Sequence, residues 1–453
     1  MSLQPLKEVE AEVTNLLREL IRINTTNPPG NETNAATYLA HNLTAEGFNC
    51  ELIESAPKRG NIITRLKGTG EKPRLLLLSH LDVVAANPAE WSMDPFGGLV
   101  KDGFVWGRGA LDMKGMTAIE VMALKLLKRN NVKLKGDVIL AATADEEMGG
   151  VGGADFLLQN YPEKVFAEYV LNEGGGSSIP TREKTVYTVN TAEKGLLWLK
   201  VKAKGIPGHG SMPDAADNAI LRMNKVITKL GNIRGKVRLV PTVEQFLMEL
   251  AAQDSSLKEL LTQILANPEQ SDVVLAELEK TAPAIADEIR PRLRMTITPT
   301  IINGGVKENV IPSECTAVFD CRVLPGQSTS EAQALVRELL EDVGLNKLSF
   351  ETIQAQEPSE SPVDTPLYGV IRSVLGEFEP DCAVAPSLMT GGTDSRFFRR
   401  MGSVCYGFHP LRSETKFGEK ATRREHGIDE RISVENLVFG ASVLFETIKR
   451  FMT

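Results

Sequence analysis

No stretch of this 453-residue chain approaches the ~18 consecutive apolar residues of a membrane-spanning helix, so no span is expected. The start, "MSLQPLKEVEAEV", lacks a basic segment followed by an apolar one, so no signal peptide is expected either. Cysteine is scarce: Cys50, Cys315, Cys321, Cys382 and Cys405 form an odd set without a CxxC pair. Such a set suits a reducing compartment better than a disulfide framework, and the cytoplasm is the simplest expectation. Positive charge is in deficit, with a net charge of -8, which argues against a nucleic-acid partner. The glycine runs "EEMGGVGG" and "NEGGG" neither fit GxGxxG after a strand nor end in GK[ST], which disfavours a nucleotide-dependent enzyme. There is no fixed-period repeat and no low-complexity segment.

What is present is the composition of a soluble globular protein, 42% hydrophobic and 24% charged, in a chain longer than one core usually serves. Apolar residues recur at helical spacing from Leu6 to Arg22, and after "NTTNPPGNE" a second helix is expected over roughly Asn34 to Glu46. Short apolar runs follow at "NIITRL", "RLLLLS", "DVILAATA" and "AEYVLN", with the helical pattern "KGMTAIEVMALKLLKRN" between the second and third. Strands alternating with helices imply an α/β domain with largely parallel pairing. The pattern changes after about Thr191. "GLLWLKVKAKG", "DNAILRMNKVITKL", "RMTITPTIING", "ECTAVFDCRVLPG", "TSEAQALVRELLEDVG" and "LSFETIQAQ" read in order as βαββαβ, the signature of a ferredoxin-like domain. A charged, helix-prone insertion, roughly Arg234 to Arg292, interrupts it. "EPSESPVDTP" reads as a linker, and "SVENLVFGASVLFETIKRF" as a closing amphipathic helix. The expected organisation is a catalytic domain in two pieces, 1–191 and 358–453, interrupted by an inserted α+β domain over 192–357 with a helical insertion at about 234–292.

Polar residues gather where the apolar runs end. His80 and Asp82 follow one run, Asp145, Glu146 and Glu147 another, and Glu173 a third, while Asp112 lies in the glycine-rich "GRGALDMKG". Open α/β sheets place their ligand crevice at the carboxyl ends of parallel strands. One such side chain is ordinary capping chemistry, but this many carboxylates in one place repel unless cations sit among them. Imidazole with carboxylate suits zinc, or manganese or cobalt as substitutes. Alternate residues of an extended chain point the same way, so His80 can bind metal while Asp82 orients its ring; Glu146 and Glu147, as neighbours, part to opposite sides.

"SHLDVV", "GRGALDMKG", "TADEEMGG", "LNEGGG" and "REHG" resemble, in order and approximate spacing, the site motifs of the di-zinc aminoacylase and carboxypeptidase G family. That family includes acetylornithine deacetylase, succinyl-diaminopimelate desuccinylase, carboxypeptidase S and carnosinase-type dipeptidases. The resemblance covers nearly the whole chain. It implies a zinc-exopeptidase-like catalytic domain with a mostly parallel mixed sheet, and an inserted lid and dimerisation domain. It implies two zinc ions per subunit, bridged by Asp112, with His80 and Glu173 completing one site and Glu147 and His426 the other. Glu146 then resembles the general base and Asp82 the orienting carboxylate, and the Asp112-Met113 peptide is expected to be cis. Met113 departs from the aspartate of many relatives at a position that is not a ligand.

The resemblance further implies that His209 of "GIPGHGSMP" stabilises the oxyanion, in dimeric members from the partner subunit, although a lone loop histidine is otherwise a solvated surface residue. This leads to the expectation of a homodimer through the inserted domain. "ENVIP" and "FDCRVLPG" make Asn309 and Arg322 the expected contacts for the substrate backbone and its free carboxylate, against the plain reading of an edge-strand arginine paired with a neighbour. In "MTGGTDSRFF", Gly391, Gly392 and Thr393 resemble a loop beside the substrate carboxylate, with a simple turn as the competitor. His41 reads as solvated, and His409 in "GFHP" as lining the cleft or packing beside Pro410. The expected reaction is hydrolysis of an amide in a small substrate with a free carboxylate: a dipeptide, a peptide C-terminus or an N-acyl amino acid. Two metals ~3.5 to 4 Å apart would activate water for Glu146 to deprotonate. The wording of the motifs is nearer the carboxypeptidase S and aminoacylase branch. A biosynthetic deacylase of the acetylornithine or succinyl-diaminopimelate type is the alternative. A metal-free binding protein of the same fold is the other, and it should have lost a ligand or the base.

Overall fold

Four consecutive leucines are what a strand covered on both faces requires, because successive side chains point to opposite sides. In the computed structural model, which describes residues 6–420 and 424–453, the strand Leu75–His80 is buried along its length. The first five residues, part of the start read for a leader, lie outside the described residues. Leu75 and Leu77 enter an apolar cluster built with the helices Leu6–Arg22, Lys114–Arg129, Pro366–Phe378 and Val434–Met452. Leu76 and Leu78 enter another on the opposite face, with Leu157, Val165 and Phe398.

The large sheet has ten strands. Its centre is four parallel strands in the order Val138–Thr143, Leu75–His80, Tyr169–Asn172 and Val404–Gly407. Gly60–Leu66 and Cys50–Glu54 extend one side antiparallel. On the other side Thr185–Glu193 pairs antiparallel with Val404–Gly407 and Ser178–Pro180 and parallel with Ala383–Met389. The sheet is therefore mixed, with its parallel pairing concentrated at the centre. "EPSESPVDTP" is more than the expected linker: Ser359 and Glu360 pair with Glu193 and Ala192, so open backbone at the end of that strand takes an extra short strand.

Lys194 alone separates Thr185–Glu193, in the large sheet, from Gly195–Lys204, in a second sheet. That second sheet is antiparallel, in the order Thr296–Gly304, Glu314–Val323, Gly195–Lys204, Leu348–Gln356. With the helices Ala219–Gly231 and Thr329–Leu339 on one face, around Val201, Met223, Phe319 and Val336, this is a ferredoxin-like unit. The helical insertion departs from its sequence neighbours. Its helices Pro241–Gln253, Ser255–Ala266, Ser271–Thr281 and Pro283–Ile289 share an apolar cluster with Val186, Ala192, Ala385 and Leu388, so they pack on the outer strands of the large sheet. Among the described residues no helix is long and apolar enough to cross a membrane.

Candidate metal centre

The central parallel strands bring their carboxyl ends together, and the strand-end residues converge there. His80, only 2% exposed, places Nε2 at 3.1 Å from Asp112 Oδ1 and 3.8 Å from Glu173 Oε1. Asp112 directs its other oxygen to His426: Oδ2 lies 3.1 Å from His426 Nε2, which is also 3.2 Å from Glu147 Oε2. Two donor sets result, His80 with Asp112 and Glu173, and Asp112 with Glu147 and His426, each with its ligand atoms within 4.8 Å of one another. Asp112 belongs to both. The Asp112-Met113 peptide is cis.

Asp82 is fully buried, but its contact with His80 differs from the expected one. His80 Nδ1 lies 3.0 Å from the Asp82 main-chain carbonyl and 3.6 Å from its carboxylate. The carboxylate accepts the main-chain N–H of Glu146 and of Glu147, both at 3.1 Å, and the Asn27 amide at 2.8 Å. Asp82 thus fixes the imidazole through its backbone and the Glu146-Glu147 turn through its side chain. That turn starts at Asp145, whose φ of 75° is left-handed and whose carboxylate pairs with Arg59. Glu146 overhangs the cluster with Arg396 at 4.0 Å.

Glu430 escaped the sequence analysis. Fully buried, it accepts the N–H groups of Gly109, Leu111 and Asp112 at 3.0, 2.7 and 3.0 Å and pairs with Arg108 at 2.7 Å, so it holds the turn that aims Asp112. The only signal was an acidic residue four positions after His426, and nothing local tied it to "GRGALDMKG", more than 300 positions away.

The electrostatics indicate what the donor sets can hold. Burial, then the nearby Asp112, pushes Glu173 up to about 7. Burial, then Glu173, pushes the Glu146 carboxyl well above its usual range. His426 is drawn up to about 10 by its bonds to Asp112 and Glu147; His80 is raised against its own burial by Glu173 and Asp112. Carboxylates gathered this closely repel one another, and positive charge among them relieves that repulsion. Imidazole nitrogens and carboxylate oxygens are the donors that divalent zinc, cobalt or manganese accept, so the residues fit a pair of such ions sharing Asp112.

Other expected residues divide. Arg322 lines a cavity of about 320 Å³ with Glu146, Glu147, Trp198, Gly391 and Gly392. Its guanidinium is also bonded to Asp320 at 2.7 and 3.0 Å, so the pairing with a neighbour and the cleft position hold together. Thr393 lines the same cavity but turns its hydroxyl to Glu193 at 2.7 Å, which ties this loop to the end of the large sheet. His209 ends one strand of a small ribbon and pairs with Val310 of the other, and Asn309 lies in the turn just before that second strand, its carbonyl accepting the Gly210 N–H at 2.8 Å. The His209 ring is exposed, 2.7 Å from the Ser211 hydroxyl, and neither residue lines a cavity at the donor sets. His41 is exposed. His409 is buried beside the cleft, and that burial pushes it down to about 4.

Comparison with known proteins gives a consistent result. The sequence profile of peptidase family M20/M25/M40 matches residues 76–450. The chain is 30% identical over 402 residues to N-fatty-acyl-amino acid synthase/hydrolase PM20D1 of Mus musculus, covering 84% of this chain and 75% of that one. It is 27% identical over 413 residues to aminoacylase-1A of Rattus norvegicus, covering 89% and 88%. Its fold matches the M20 family metallo-carboxypeptidase Sso-CP2 of Sulfolobus solfataricus with a TM-score of 0.73 at 19% identity, over 97% of this chain and 99% of that one.

Proposed function

The chain belongs to peptidase family M20/M25/M40 and is a metal-dependent hydrolase, and from that premise we propose that it cleaves the amide bond of a small substrate bearing a free carboxylate, an N-acyl amino acid, a dipeptide or a peptide C-terminus. The observation that carries this reading is Asp112, whose two oxygens lie 3.1 Å from two different histidines, each with its own further carboxylate. His80, Asp112 and Glu173 would hold one cation and Asp112, Glu147 and His426 the other, with zinc as the proposed ion. When bound, the pair supplies Lewis-acid polarisation of the scissile carbonyl and makes water more acidic.

The protein groups perform the proton transfers. Glu146 takes the proton of the water that attacks the carbonyl carbon and passes it to the leaving nitrogen as the C–N bond breaks. Asp82 keeps Glu146 beside the ligands through the main chain. Arg322 receives the substrate carboxylate, sharing its fork with Asp320. His209 acts from a second copy of the chain at the oxyanion, and Asn309, beside it on the same ribbon, contacts the substrate backbone. The exposed ribbon that carries them, and the outward Ile301, Ile302 and Val306 beside it, support a homodimer through the inserted domain.

The test is hydrolysis of a mixed panel of dipeptides and N-acyl amino acids with zinc, cobalt or manganese added, beside carboxylate-amidated controls. Turnover of free acids that fails on their amides is expected; no turnover of any member contradicts the reading.

A further inference from the structure

Away from the donor sets, a cavity of about 300 Å³ lies between the helical insertion and the catalytic domain. Helix Pro241–Gln253 of the insertion supplies Met248 and Glu249 to its wall, and the return segment with helix Pro366–Phe378 supplies Asp364, Tyr368 and Arg372. It shares no residue with the cavities lined by Asp112 and Glu173. Its volume is at the lower end of the range of roughly 300–1,000 Å³ typical of small-molecule sites, which leaves room for a single amino acid.

The polar groups of this wall are unpaired in a way their neighbours are not. Tyr368 is only 3% exposed, yet its hydroxyl has no hydrogen-bond partner among the described residues. The adjacent Tyr406, its ring edge-on at 5.8 Å, bonds its own hydroxyl to Thr365 and to the Pro362 carbonyl at 2.7 and 2.5 Å. Pairing is the rule for a buried hydroxyl, so the orphan at the cavity wall points to a ligand. The Arg372 guanidinium lies over the Tyr368 ring, 5.6 Å from its centroid, without closing a hydrogen bond to the hydroxyl. Among the described residues Arg372 forms no ion pair, and neither does Glu249, half-buried, or Asp364, exposed at the mouth. Opposite charges thus line one cavity without neutralising each other.

The complement of two carboxylates, one guanidinium and a phenol is a molecule with two cationic groups and one carboxylate. We propose that this cavity binds a free basic α-amino acid of the lysine type. Its two ammonium groups meet Glu249 and Asp364, its carboxylate meets Arg372 and the Tyr368 hydroxyl, and its methylene chain lies along Met248, Val363 and Pro386. Pro386 stands on Ala383–Met389, whose last residue lines both cavities at the donor sets, so the occupant rests on a strand that leads to the cleft. The site is separate from the proposed hydrolysis and does not depend on it.

Titration calorimetry of the zinc-loaded protein with lysine tests this. Glu249→Gln and Arg372→Gln should each weaken binding about tenfold or more, and Tyr368→Phe, which removes only the hydroxyl, about two- to tenfold. Norleucine lacks the second ammonium and cadaverine lacks the carboxylate, so each should bind about tenfold more weakly than lysine, or worse. Arg322→Ala, in the donor-set cavity, should leave the lysine affinity unchanged. Absence of lysine binding overturns the inference, as does norleucine or cadaverine binding as tightly as lysine. Lysine binding that Arg322→Ala weakens and the three cavity variants do not would place the amino acid in the cleft, and overturns it too.

Discussion

Each Asp112 oxygen faces a different imidazole, and the side chains around it divide into those of the two donor sets and those that aim others. Glu146 belongs to neither donor set, so Glu146→Gln should keep the full metal content by elemental analysis while kcat falls by about 10²–10⁴. Glu430 is the reverse case. It is a buried partner of Arg108 and of three N–H groups, and Glu430→Ala leaves all four without it, at a cost of about 3–5 kcal/mol in chemical denaturation with weakened metal binding as a companion. Glu120 gives a pH signature. It is fully buried beside Ser79, its oxygens have no hydrogen-bond partner among the described residues, and burial raises its pKa well above the usual value. The unfolded chain releases this proton near pH ~4.3, the folded protein only at higher pH. Its contribution is therefore intact below ~4.3 and is lost as pH rises toward the folded value, by up to ~1.4 kcal/mol per pH unit. Glu120→Gln removes that loss, so its melting temperature relative to the parent should climb as pH rises above ~4.3 and level off once the folded carboxyl has titrated; a difference constant with pH contradicts the assignment.

Strands and helices differ in how readily the sequence disclosed them. Leu75 to Leu78 announced a strand covered on both faces, and the polar residues after it marked the mouth of the sheet, because both are consequences of local alternation. Contacts between distant segments left no such trace. Glu430 reaching the "GRGALDMKG" turn, the Thr393 hydroxyl turning to Glu193, and the Asp82 carboxylate holding two N–H groups all depend on where the chain returns. The insertion was legible as helix but not as a cover for the outer strands, since its apolar faces do not specify their partner. In the ferredoxin-like unit, Arg322 stands on Glu314–Val323 with its fork held by Asp320, so the proposed carboxylate contact is oriented in advance. Arg322→Ala should raise KM for free-acid substrates about 10- to 100-fold with a smaller change in kcat, and should leave the poor reaction of amidated analogues unaltered.

The protein is a hydrolase built on two main sheets, whose cleft holds every proposed ligand within one chain but leaves His209 and Asn309 exposed on the inserted ferredoxin-like unit. A second copy completing the cleft predicts complementation. Mixing inactive His209→Ala and Glu146→Gln proteins under exchange should restore about a quarter of parental turnover, since a mixed dimer then has one intact site. Persistent inactivity despite demonstrated exchange would place the oxyanion contact elsewhere. The centre of the account remains the shared carboxylate, and metal stoichiometry tests it most directly. Dialysis against zinc followed by elemental analysis should give two ions per chain in the parent, close to one in His80→Ala, and neither held tightly in Asp112→Ala. A single ion in the parent, or two retained by Asp112→Ala, would contradict it.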